Sequence, residues 1–167
     1  MLKILKDLKP FFEDNYKRIH VRDYAKIQNI SPPTASKLLE ELKKEKLLKK
    51  IIDKKHYLFF ANKDSKDFID LQRLYYRIKL NDLIEYIKNE TINPIIILFG
   101  SLSKAEAKQN SDFDIVILTP TDKKLNVEIF EKKLKRTIQL FQFKNIDDIP
   151  KELKQNILNG YNLKGEF

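Results

Sequence analysis

Two apolar runs of strand length bracket a polar connection, and nothing else in the chain constrains its fold as tightly. The first, Ile95-Ile96-Ile97-Leu98-Phe99, ends in Gly100-Ser101; ten residues later Asp112-Phe113-Asp114 opens the second, Ile115-Val116-Ile117-Leu118. Side chains two apart on a strand point to the same side, so Asp112 and Asp114 are expected to project together at one edge of a sheet. Such a like-charged pair is costly unless something neutralises it. A divalent cation does so best, and hard carboxylate oxygens suit Mg²⁺ or Mn²⁺. Gly100 lets backbone approach a ligand closely, and the Ser101 hydroxyl with nearby amides suits a phosphate.

The combination of strand, Gly-Ser, spacing and carboxylate pair resembles the signature of the minimal nucleotidyltransferase domain of the DNA polymerase beta superfamily. Ser103-Lys104-Ala105-Glu106-Ala107 is similar to that family's Ser-Arg-Gly-Glu-Ala segment, and Ser111-Asp112-Phe113-Asp114 to its Ser-Asp-x-Asp segment. Lys104 replaces the usual Arg and Ala105 the usual Gly. The likeness covers residues 94–143. It implies that Asp112 and Asp114 are the catalytic metal ligands, and that Gly100, Ser101 and Ser111 bind the nucleotide. The implied ligands are Mg²⁺ or Mn²⁺ and an NTP, with ATP favoured.

At one position the sequence departs from that pattern. Active relatives supply a third carboxylate from the next strand, and here the matching position is Gln139. Glutamine adds no negative charge and cannot serve as a base. Glu128, Asp147 and Asp148 are the alternatives, the last two only if their loop folds back over the site. Two functions therefore compete. One is transfer of AMP to a protein acceptor, as in antitoxin relatives that modify a partner toxin. The other is a DNA-binding transcriptional regulator whose degenerate domain binds nucleotide without catalysis. A purely structural adaptor is a third, which the retained Asp112 and Asp114 argue against.

Charge points to the N-terminal part. The chain of 167 residues carries a net +9, and residues 1–62 hold 15 basic against 8 acidic side chains, whereas residues 63–93 balance at 6 each. Residues 94–167 carry 12 and 10. A localised basic excess suits nucleic acid. There is no cysteine, which rules out disulfides and thiolate metal sites. No signal-peptide pattern or membrane-length apolar run is found, so a cytoplasmic protein without a membrane partner is expected.

The expected organisation is α/β (α+β), with three segments: a winged helix-turn-helix over 1–62, connecting helices over 63–93, and the nucleotidyltransferase-like mixed sheet with flanking helices over 94–167. Leu2 to Ile19 has helical spacing split or kinked at Pro10. Val21–Gln28 reads as a short helix with Tyr24, Ala25 and Ile27 for packing, and Asn29-Ile30-Ser31 as a turn. Ser31 is a good N-cap, and Pro32 suits the first position of a helix to Lys46. Leu47–Ile52 and His56–Phe60 read as strands around Asp53-Lys54-Lys55. Residues 20–62 thus resemble a winged helix-turn-helix. That likeness implies phosphate contacts from Lys37, Lys44, Lys54 and Lys55, and base reading from Thr34, Ser36 and Lys37, with Glu40 and Glu41 opposing. His20 and His56 read as surface or wing-edge side chains.

Asp64–Glu90 reads as one long or two shorter amphipathic helices that connect the domains and pack on the sheet of the second; core packing is the first account of Phe68, Tyr75, Tyr76 and Tyr86, and a homodimer seam the alternative. Val127–Arg136 reads as a helix with Ile129, Phe130 and Leu134 inward, and Thr137–Phe143 as a third strand. The last helix, carrying Leu153, Ile157 and Leu158, is expected to stop on a left-handed cap at Asn159-Gly160. Tyr161–Leu163 would add an edge strand.

Overall fold

The computed structural model describes residues 1–53 and 56–166, so Lys54 and Lys55 lie outside the described residues. The chain is of the mixed α and β class and divides into two compact units. One is built from residues 1–72 with 105–109, the other from 73–104 with 110 onward. The first division falls inside one helix, so the segment 63–93 is shared between the units.

The first unit opens with α1 (Lys3–Glu13), which buries Leu5, Leu8, Phe11 and Phe12. Pro10 does not split it. Proline removes the N–H that would have bonded the carbonyl four residues back, here that of Lys6, and Gln28 Nε2 donates to that carbonyl at 3.0 Å. The helix ends earlier than Ile19 because Asn15 turns in and its Nδ2 donates to the Phe11 carbonyl at 2.8 Å. Tyr16 is consequently exposed, with the Lys63 ammonium 3.9 Å from its ring centre.

Strand β1 (Ile19–His20) leads into α2 (Val21–Gln28), whose N-terminus is capped by His20 Nδ1 accepting from Arg22 N. Asn29 ends α2 in the left-handed conformation, with φ 54°. Ser31 Oγ then accepts from Thr34 N at 3.3 Å to start α3 (Pro32–Lys44), with Pro32 in the first turn as expected. Tyr24, Ala25, Ala35, Leu39 and Leu42 face inward, but Ile27 is half exposed. Strands β2 (Leu48–Asp53) and β3 (His56–Ala61) pair antiparallel from Leu48↔Ala61 to Asp53↔His56. With β1 they form an antiparallel sheet in the order β1-β3-β2. The short β1 strand was not foreseen; two residues leave no periodicity to read.

Helix α4 (Lys66–Lys79) crosses from the first unit into the second, and α5 (Asn81–Glu90) follows. The second unit's sheet holds β4 (Ile95–Phe99), β5 (Phe113–Leu118), β6 (Ile138–Phe143) and β7 (Tyr161–Lys164) in the order β6-β5-β4-β7. β5 and β6 are parallel and joined through α6 (Glu128–Leu134); the other pairs are antiparallel. Ile97, Phe99, Val116 and Leu118 cluster with Ile149 and with Ile157 of α7 (Lys151–Leu158) on one face. Ile96, Leu98, Ile115 and Ile117 are buried on the other. Burial on both faces explains why β4 and β5 read as unbroken apolar runs rather than alternating ones.

Two side chains placed inward by periodicity are not: Ile129 is 73% exposed on α6 and Leu158 is exposed on α7, whereas Leu153 packs partly buried against the core cluster. The left-handed cap after α7 is also absent: Asn159 has φ −87°, and Gly160 is not left-handed. Gly160 is needed instead for close approach, since a Cβ there would stand 2.6 Å from Ile97 Cγ2 and 2.8 Å from the Leu98 carbonyl. Among the described residues no helix is long and apolar enough to cross a membrane.

Candidate functional site

The site is assembled where β4 ends and β5 begins. Phe99 pairs with Asp114 across the antiparallel ladder, so the chain leaves β4 at Gly100 directly beside that aspartate. Gly100 has φ +69°, and a Cβ built on it would lie 2.0 Å from Asp114 Oδ2. No other residue fits, on either count. A short 3-10 turn over Ser101–Ser103 follows, stitched back by Ser103 Oγ donating to the Gly100 carbonyl at 2.9 Å. Arg73 Nε donates to the Ser103 carbonyl at 3.0 Å and fixes the turn from α4. Ser101, the first residue of that turn, is half exposed.

Asp112 stands one residue before β5 rather than within it, although Phe113 N still donates to the Thr137 carbonyl at 2.9 Å and prolongs the pairing. Both carboxylates are partly exposed at the sheet edge. Burial first, and then the neighbouring Asp112 charge, push the Asp114 carboxyl above its ordinary value. Such a group binds a cation more readily than it stands alone. Ser111 is half exposed, and its carbonyl accepts from the buried Arg136 guanidinium at 2.5 Å. Lys104, in the place of the family's arginine, donates to Asn156 Oδ1 at 2.9 Å. Ala105, in the place of its glycine, keeps a left-handed backbone with φ 55°.

Gln139 completes the arrangement. It is the β6 neighbour of Asp114 in the parallel register, and its Nε2 donates to Asp112 Oδ2 at 2.9 Å. The alternative acids are held elsewhere or exposed. Asp147 pairs with Lys154, Asp148 accepts from Asn145 N, and Glu128 lies exposed at the start of α6. Among the described residues no group of three or more His, Cys, Asp or Glu side chains converges as a metal site. The two aspartates with phosphate oxygens from a nucleotide nevertheless form a donor set suited to Mg²⁺ or Mn²⁺.

Residues 81–164, half of the chain, match the family described as Polymerase beta, Nucleotidyltransferase. The chain belongs to that family, whose members share a nucleotidyltransferase domain. No curated protein matches it.

In the first unit, Thr34, Ser36, Lys37 and Lys44 are all exposed on α3. At about 100° per residue, Lys37 and Lys44 fall in the middle of the outward face, and Thr34 and Ser36 at its two edges. Thr34 Oγ1 also lies 2.8 Å from Ser31 Oγ. Glu40 is engaged by Lys50 at 2.6 Å and Lys43 at 3.8 Å, which offsets the repulsion it would exert on phosphates. His20 and His56, far apart in sequence, meet edge to face with ring centres 5.0 Å apart. Sequence reading missed that contact, whose only trace was the strand that β1 adds beside β3.

Proposed function

We propose that this nucleotidyltransferase-family chain is a DNA-binding regulator whose C-terminal site binds a nucleoside triphosphate with Mg²⁺ or Mn²⁺ without turning it over. ATP is the favoured nucleotide. The observation that carries this reading is the Gln139 amide donating to Asp112 from the position where transfer chemistry wants a carboxylate. Asp112 and Asp114 would hold the cation, which supplies charge neutralisation for the triphosphate. Gly100, Ser101 and Ser111 would line the phosphates.

For the N-terminal unit, helix, tight turn, capped helix and antiparallel strands support a winged helix-turn-helix. Its outward lysines Lys37 and Lys44, with Lys54 and Lys55 outside the described residues, would meet phosphates. Thr34, Ser36 and Lys37 would read bases in the major groove. A homodimer on paired half-sites suits that arrangement.

A second reading is transfer of AMP to a hydroxyl of a protein acceptor such as a partner toxin. The close Asp112–Asp114 pair, held against Gly100, favours it. Incubation with Mg²⁺ or Mn²⁺ and each α-labelled NTP, with candidate protein acceptors, separates the two. The regulator reading expects bound but untransferred label, lost in Asp112→Ala/Asp114→Ala; transferred label would replace it with the enzyme. For DNA, Lys44→Ala, which removes a phosphate contact only, should weaken binding evenly across sequences and lower the salt slope by roughly 1. An unchanged slope would remove Lys44 from the interface.

A further inference from the structure

We infer that Gln139 restricts the acidic pair to a single divalent cation, one that enters with the nucleotide, and excludes the second ion that paired-metal chemistry requires. The inference rests on the nucleotide-binding reading above and adds the ion count and the residue that sets it.

The register fixes where Gln139 can act. It sits on β6 directly beside Asp114, and its side chain reaches across to Asp112, so it touches the pair from the flank opposite Gly100 and β4. At 2.9 Å from Asp112 Oδ2, only the NH₂ end of the amide is tolerable; its carbonyl oxygen there would repel the carboxylate. The N–H therefore occupies an Asp112 lone pair, and the side chain brings no negative charge to that flank of the pair. Two ions about 3.5–4 Å apart repel strongly and need bridging, charged oxygens to be held together. Here the protein offers two negative charges, one of them already accepting a hydrogen bond. Other acids of the second unit are engaged elsewhere: Glu131 Oε1 accepts from Ile138 N, Asp147 pairs with Lys154, and Asp148 accepts from Asn145 N.

One ion has no such difficulty. Mg²⁺ prefers one or two carboxylates, substrate phosphates and water, which is what Asp112, Asp114 and a triphosphate together provide. Without the phosphates, two carboxylates with one lone pair engaged make a weak site. Cation and nucleotide should therefore each strengthen the other's binding by the same factor.

Mn²⁺ electron paramagnetic resonance on the full-length chain tests this without reference to turnover. The probe is Mn²⁺ with α,β-methylene-ATP, whose bridging carbon resists cleavage, and nucleotide binding is followed separately by calorimetry. The parent should bind the analogue and give a mononuclear six-line spectrum. Gln139→Glu should give the broadened spectrum of two coupled Mn²⁺ ions, and should bind Mn²⁺ without nucleotide at least about tenfold more tightly, as added ligand charge dictates. Gln139→Ala, which removes the donor and adds no charge, should stay mononuclear because the pair still lacks a third negative charge; a coupled spectrum there would overturn the inference.

A coupled spectrum in the parent would overturn the inference while leaving nucleotide binding intact. A mononuclear spectrum in a folded, nucleotide-binding Gln139→Glu would also overturn it, by showing that another feature sets the count. Failure of the parent to bind the analogue at all would remove the nucleotide-binding reading and this inference together.

Discussion

Gly100 and Asp114 hold each other in place, one through the absence of a side chain and the other through its presence. Gly100→Ala forces a Cβ into a left-handed residue, at about 1–2 kcal/mol, and drives it onto Asp114 Oδ2. Denaturant titration should show at least that loss. Mn²⁺–nucleotide affinity should fall further than stability alone explains, because the carboxylate must swing away. Tyr24 offers a pH test in the other unit. Its hydroxyl donates to the Asp7 carbonyl at 2.8 Å, and burial first, then the Asp7 carboxylate, raises it well above its ordinary 10.0. The folded chain thus keeps a proton that the unfolded chain gives up, so stability is full below pH 10 and declines as pH rises past it. Tyr24→Phe should flatten that decline. At pH 7 it should cost about 1 kcal/mol, limited because Gln28 Nε2 also reaches the Asp7 carbonyl at 3.4 Å. These residues differ in how much the sequence disclosed. Gly100 and the two aspartates announced themselves by type and spacing, and Gln139 by its place on the next apolar strand. That Gln139 donates to Asp112 required the register, which no local pattern encodes.

At the scale of elements, strand runs were legible wherever burial made them continuous, as in β4 and β5. Helix limits were not, because their causes lie elsewhere in the chain. α1 passes through Pro10 because Gln28, eighteen positions on, serves the carbonyl that Pro10 abandons. It stops where Asn15 turns inward. A double-mutant cycle measures the first of these dependences. Gln28→Ala alone should cost about 1 kcal/mol, and much less in a Pro10→Ala background, where the helix recovers its own N–H at that position. Equal costs in both backgrounds would mean that Gln28 acts through the Asp7 carbonyl instead. The glycine after α7 misled for a related reason. A Gly at a helix end usually relieves a left-handed backbone, but here it clears space for β4, which only the packed sheet makes visible.

On the scale of the whole molecule, the two units are not consecutive in sequence, and that too was illegible. Residues 105–109 leave the β4–β5 connection and count with the first unit. The buried Asn15 Oδ1 accepts from Ala107 N at 2.6 Å, and Asn15 N donates to the Ala107 carbonyl at 2.8 Å. Asn15→Ala would leave a buried N–H without its acceptor, and thermal denaturation of the full chain should report a loss of about 2–3 kcal/mol. A shift of less than a degree would mean that water enters and serves Ala107 instead. Because the polypeptide passes between the units three times, no single cut yields both of them whole. Residues 1–72 on their own would lack the Ala107 partner that Asn15 needs. Inheritance follows the same rule: a recombination event that exchanged one end of the gene would carry off a piece of the other half's core. A single crossover between the units would therefore part residues 1–72 from 105–109, and the two units would be expected to be inherited together.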